Sequence, residues 1–190
     1  MTKKEVINIK AYDELSPEEF KSRSEYGYNS NKDIAVKKND AIEIDNFRTL
    51  KNRVLSLGNN LTILSGKNGT MKTTLMGLIA HPFTSTSVDC FGKRLKTPFS
   101  DIFRLSLKYD DNYNYNILFT SKNNEKIREK ITIDERGGRH RIVASGHEKG
   151  DGNFIFNVSF LTLSRLRPIT ETQAEEQKNV ELTPEEKDDL

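Results

Sequence analysis

The stretch SGKNGTMKTT, residues 65–74, decides how the rest of the chain is read. It approaches the pattern G-x-x-x-x-G-K-[ST], in which backbone N–H groups cradle phosphates, a lysine reaches the outer phosphates and a hydroxyl turns to magnesium. Gly66, Lys72 and Thr73 meet the pattern, and Met71 stands where its second glycine belongs. Gly66 would let the chain leave a strand sharply, and Gly69 would keep side-chain atoms off the phosphates. Lys72 would supply the charge and Thr73 the magnesium-directed hydroxyl. The candidate nucleotide site is therefore Gly66, Lys67, Asn68, Gly69, Thr70, Met71, Lys72, Thr73 and Thr74, with ATP and magnesium as the expected ligands. Met71 falls where a helix begins. A near-helical backbone there would keep its N–H available and turn the side chain away from the phosphates.

The flanks supply the setting the pattern requires. LTILS, residues 61–65, reads as a strand buried on both faces. KTTLMGLIAHPF places Leu75, Leu78 and Ile79 at helical spacing, and Pro82 stops the turn. The competing reading makes GKNG a hairpin turn, but the segment after it is helical in pattern and offers no second strand. Upstream, AIEIDNFR and RVLSL read as strands. Downstream, FRLSLKY, YNILFTS, KITID, RIVAS and FIFNVSFLTL read as an antiparallel set separated by glycine- and asparagine-bearing turns.

Composition bounds the function classes. The chain has 190 residues, with 30 basic and 28 acidic side chains. That near balance gives no global electrostatic case for nucleic acid or membrane. Cys90 is the only cysteine, so no internal disulfide framework exists and no cysteine cluster suggests zinc. No apolar run approaches the roughly 18 residues a membrane helix needs, and a cytoplasmic location with no membrane partner is expected. Three parts are expected: a polar arm over 1–38, a hydrophobically patterned domain over 39–167, and a charged tail over 168–190. The arm offers one short helix, with Ser16 as N-cap, Pro17 first and Glu19 after it. His81, His140 and His147 have no ligand-spaced partners. RGGRHR, residues 136–141, reads as a basic hairpin tip, and Tyr113 and Tyr115 as one face of a sheet rather than a base-stacking platform.

NLTILSGKNGTMKTTLMGLI resembles the opening of ABC-type ATPase heads of the SMC-like and RecF-like kind, whose loops read G-x-N-G-x-G-K-[ST]-T-L. Gly66, Asn68, Gly69, Lys72, Thr73, Thr74 and Leu75 match, and Met71 departs. Asn46-Phe47-Arg48, about twenty residues upstream, matches a phrase of the same heads. The resemblance implies an α/β fold: the amino-terminal lobe of a P-loop NTPase, with a mixed sheet and an antiparallel β subdomain. It implies a site for ATP and magnesium, with Arg48 directed toward the nucleotide. It also implies a partner, either a second ATPase half or a second copy, with DNA as a further candidate. The acidic strand and signature that hydrolysis needs in such heads are not found. The nearest acidic stretch, KITIDE with Asp134 and Glu135, reads as a hairpin strand, Gln173 and Gln177 are not assigned, and no catalytic residue is named. Two functions are expected to compete. One is an ATP-binding lobe acting in DNA maintenance or in defence against foreign DNA. The other is a non-catalytic nucleotide-binding or protein-interaction domain with a degenerate loop.

Overall fold

The computed structural model describes residues 5–6, 16–88, 92, 94–97, 102–103, 113–136, 139–144 and 152–160. Its spine is β2 (Val36–Phe47), which pairs antiparallel with β3 (Leu50–Ser56) on one side and β6 (Asn114–Ser121) on the other. The sequence favours this because Ile42 and Ile44 alternate with Glu43 and Asp45, so one pleated face is apolar. Both isoleucines are fully buried. Arg48 turns the β2–β3 hairpin with φ 52°, a left-handed conformation that costs about 1 kcal/mol in a non-glycine residue. The pairing with β6 slips by one residue between Ile44 and Asn46.

β7 (Lys126–Arg136) and β8 (Arg139–Ala144) extend the sheet beyond β6, and β1 (Glu5–Val6) lies parallel to β3 at the other edge. The order is β1-β3-β2-β6-β7-β8. A second sheet has the order β5-β4-β9, from β4 (Phe83–Val88), β5 (Arg94–Lys96) and β9 (Phe154–Ile155), with β4 and β9 parallel. The fold is α/β with a mostly antiparallel sheet. Among the described strands, parallel pairing is limited to β1 with β3 and β4 with β9, so the mixed character expected of the main sheet is slight.

One helix, α1 (Lys72–Ala80), places Leu75 and Leu78 in a core that includes Ile42, Ile44, Phe83 and Phe119. Phe83 meets Phe119 edge-on at 6.3 Å between centroids, and Phe119 stands 5.0 Å from Phe154. These contacts fix the carboxyl end of α1 against both sheets. Tyr113 and Tyr115 are buried, Tyr113 with its ring 4.6 Å from Phe47. They form part of the core, as their alternation suggested.

The residues before β2 form short 3-10 turns, Pro17–Glu19, Arg23–Tyr26 and Asn31–Asp33. The expected helix at Ser16 is only the first of these, and Ser16 makes no side-chain cap. Glu19 instead pairs with Lys126 on β7. The reciprocal capping box forms one turn later, between Ser22 and Glu25. Phe20 and Ile34 from this stretch are buried, and the Glu129 carboxylate accepts a hydrogen bond from the Arg23 backbone N–H at 2.6 Å.

Two strand expectations fail. Residues 61–65 form no strand: Leu61 is 73% and Ile63 77% exposed, and only Leu64 packs partly on the core. A strand buried on both faces needs neighbours on both sides, and no described strand lies beside this one. Of FIFNVSFLTL, Phe154–Ile155 is paired, while residues 156–160 carry no regular structure. FRLSLKY lies outside the described residues except for Phe103, which is buried.

Candidate functional site

Residues 66–71 connect the unpaired segment to the first turn of α1. Gly66 has φ 153° and Gly69 φ 83°, so both occupy backbone conformations that side chains disfavour. A Cβ on Gly66 would also stand 3.1 Å from Thr70 Oγ1. The chain enters the helix through Met71, with φ 62° and ψ 19°. This corrects the expectation of a near-helical backbone at Met71. After the left-handed turn at Gly69 the chain needs a second left-handed residue to bring the helix around, which is why glycine suits the position. The methionine side chain lies along the helix, with Sδ accepting from Thr74 Oγ1 at 3.5 Å. The amide N–H remains on the backbone.

Lys72 folds back across the loop. Its Nζ donates to Gly66 O at 2.8 Å and Lys67 O at 2.7 Å, and lies 3.4 Å from Thr70 Oγ1. Thr70 Oγ1 in turn donates to Lys67 O at 2.7 Å. The lysine charge is thus held within the loop.

The helix start completes the arrangement. The first intrahelical bond of α1 runs from Leu75 N to Met71 O at 2.9 Å, so the N–H groups of Lys72, Thr73 and Thr74 have no intrahelical acceptor. Neither a capping side chain nor an acidic residue occupies the first turn. Free N–H groups, the positive end of the helix dipole and a lysine charge coincide, which is what an anion requires. Thr73 is exposed and its hydroxyl has no hydrogen-bond partner among the described residues. Lys67, Asn68, Gly69 and Thr70 are all exposed.

Other expected residues fall elsewhere. The Arg48 guanidinium lies 5.9 Å from the Phe47 ring centroid, at the β2–β3 turn. Asp134 and Glu135 belong to β7, opposite Arg141 and His140 of β8, so KITIDE is a hairpin strand. His81, at the end of α1, is buried, and burial lowers its pKa to about 4 against a smaller raising effect of the Thr97 backbone. Cys90, His147, Gln173 and Gln177 lie outside the described residues. Among the described residues no group of three His, Cys, Asp or Glu side chains is placed to hold a metal ion.

The sequence reading missed the inward closure by Lys72. The signal was present, since a lysine one residue past a left-handed turn can reach back over the carbonyls of that turn.

The AAA ATPase domain family matches residues 38–186, which is most of the chain. The chain belongs to this family. No curated protein and no solved structure matched the chain. As an AAA ATPase domain it is a nucleotide-binding ATPase domain of the P-loop class, and families of this class generally use ATP with magnesium. No helix among the described residues is long and apolar enough to cross a membrane.

The loop fits the phosphates of such a ligand. Gly66 clears the space a side chain would fill, and Lys72 with the α1 N-terminus supplies positive charge. For magnesium this part of the chain offers the Thr73 hydroxyl.

Proposed function

We propose that residues 66–74 bind the phosphates of ATP, and that the domain is the ATP-binding lobe of an ATPase resembling SMC-like and RecF-like heads. The observation that carries this reading is the coincidence of three uncapped α1 N–H groups with the Lys72 ammonium. Lys72 exchanges a carbonyl partner for a phosphate oxygen, the amides of residues 72–74 point at the phosphates, and Thr73 turns to the metal. Bound ATP with magnesium supplies a phosphoanhydride bond that water can cleave.

Binding and turnover separate in this reading. No described carboxylate cluster stands ready to activate water, so hydrolysis requires residues from a second ATPase half or a second copy. The resemblance of the loop to SMC-like and RecF-like heads supports a role in DNA maintenance or defence against foreign DNA, in the cytoplasm. A second reading, a degenerate loop in a binding or interaction domain, is favoured by one observation: Met71 occupies a left-handed conformation that glycine adopts without strain.

A nucleotide titration with turnover measured in parallel tests both. Lys72→Ala should remove binding and Met71→Gly should keep or raise it, with little turnover by the chain alone. A negligible signal from the unmodified chain and from Met71→Gly alike would overturn the ATP-binding reading in favour of the degenerate loop.

A further inference from the structure

Residues 61–65 have the composition of a strand and none of a strand's partners. They lie outside every sheet, expose Leu61 and Ile63, and make no backbone hydrogen bond among the described residues. They also lack the charge or proline by which proteins block an open strand edge. A cavity of about 300 Å³ opens beside them, with Leu61 on its lining and Leu57, Ile79, Phe83, Phe156 and Val158 as apolar walls.

Two polar groups on this cavity point to a specific occupant. Asn39 is 8% exposed, and neither its amide nitrogen nor its oxygen has a partner. Leaving a buried amide unpaired costs about 1–3 kcal/mol, which a peptide group brought into the cavity would recover. Lys37, also on the lining, donates to Asn124 Oδ1 at 2.8 Å, a neutral acceptor that leaves its charge unmatched.

We propose that residues 61–65 receive an extended strand of a partner polypeptide by main-chain pairing. One large apolar side chain of that strand enters the cavity, its peptide group meets Asn39, and a carboxylate near it meets Lys37. Main-chain bonds give such pairing its affinity, and the side-chain pocket gives it selectivity. The partner's role rests on the ATPase reading, since a strand seated here ends beside Gly66, where the phosphate loop starts.

The test uses the full chain and a short soluble peptide of alternating Val and Thr, with Leu at its centre and Glu at one end. Hydrogen exchange should show residues 61–65 gaining about tenfold or more protection as the peptide saturates. Ile63→Pro should abolish that gain while leaving thermal stability unchanged, because its N–H and side chain are unused in the chain alone. Lys37→Glu should weaken the acidic peptide and favour one carrying Lys in place of Glu. Absence of protection at saturating peptide overturns the proposal, as does indifference to charge reversal at Lys37. Protection that rises with protein concentration without peptide overturns it in favour of a second copy. An ATP titration on the same samples separates the two readings: protection that persists where ATP fails to bind sustains the docking surface and removes only the nucleotide assignment.

Discussion

Lys72 Nζ donates to the carbonyl oxygen of Gly66 at 2.8 Å, and this contact joins the two ends of the phosphate loop. The lysine therefore both shapes the loop and carries its charge. Charge-assisted hydrogen bonds contribute about 1.5–3 kcal/mol. Lys72→Ala should weaken ATP binding roughly 10- to 100-fold by isothermal titration, and Lys72→Arg should recover only part, because a planar guanidinium is poorly shaped for two carbonyls on one loop.

Met71→Gly should stabilise the domain. A left-handed conformation costs a non-glycine residue about 1–2 kcal/mol, and glycine gives back about 0.5–1 kcal/mol in chain entropy. The Met71 contact with Thr74 is weak and its loss changes little. The expected net gain is on the order of 0.5 kcal/mol, read as a raised denaturation midpoint.

Gly77→Ala should do the opposite, despite the better helix propensity of alanine. A Cβ at this α1 position would lie 2.3 Å from Ile102 Cγ2 and 3.0 Å from Phe103 Cζ. Overpacking of this kind costs about 1–3 kcal/mol against a propensity gain of about 1 kcal/mol. Chemical denaturation should show a lowered midpoint with an unchanged slope.

Acid should destabilise the fold through His81. Its folded pKa of about 4 lies below the ordinary 6.5, so the unfolded chain binds the proton first. Stability contributed by the neutral ring is complete above pH 6.5 and falls as the pH drops toward 4, by at most roughly 3 kcal/mol. Unfolding measured at pH 7 and pH 4.5 should show this loss, and His81→Phe should flatten it.

Much of the architecture can be read from local pattern. AIEIDNFR, RVLSL, YNILFTS and RIVAS mark β2, β3, β6 and β8 because each alternates toward one buried face, and α1 begins and ends close to where its apolar spacing and Pro82 place it. LTILS misled because apolarity signals that a strand can be buried, and burial depends on neighbours that the segment itself does not encode. The loop glycines were legible for the same local reason. The left-handed backbone at Met71 was not, since methionine carries no cue for positive φ and only the geometry of entry into α1 imposes it.

The parallel contact between Phe83 and Phe154 has a consequence for synthesis. The helix that follows the phosphate loop leaves the ribosome early, but the aromatic residue that braces its far end is translated much later. Until then the nascent helix has only half its support. Nucleotide affinity should therefore emerge late in translation, as a property of the finished chain and not of its leading portion.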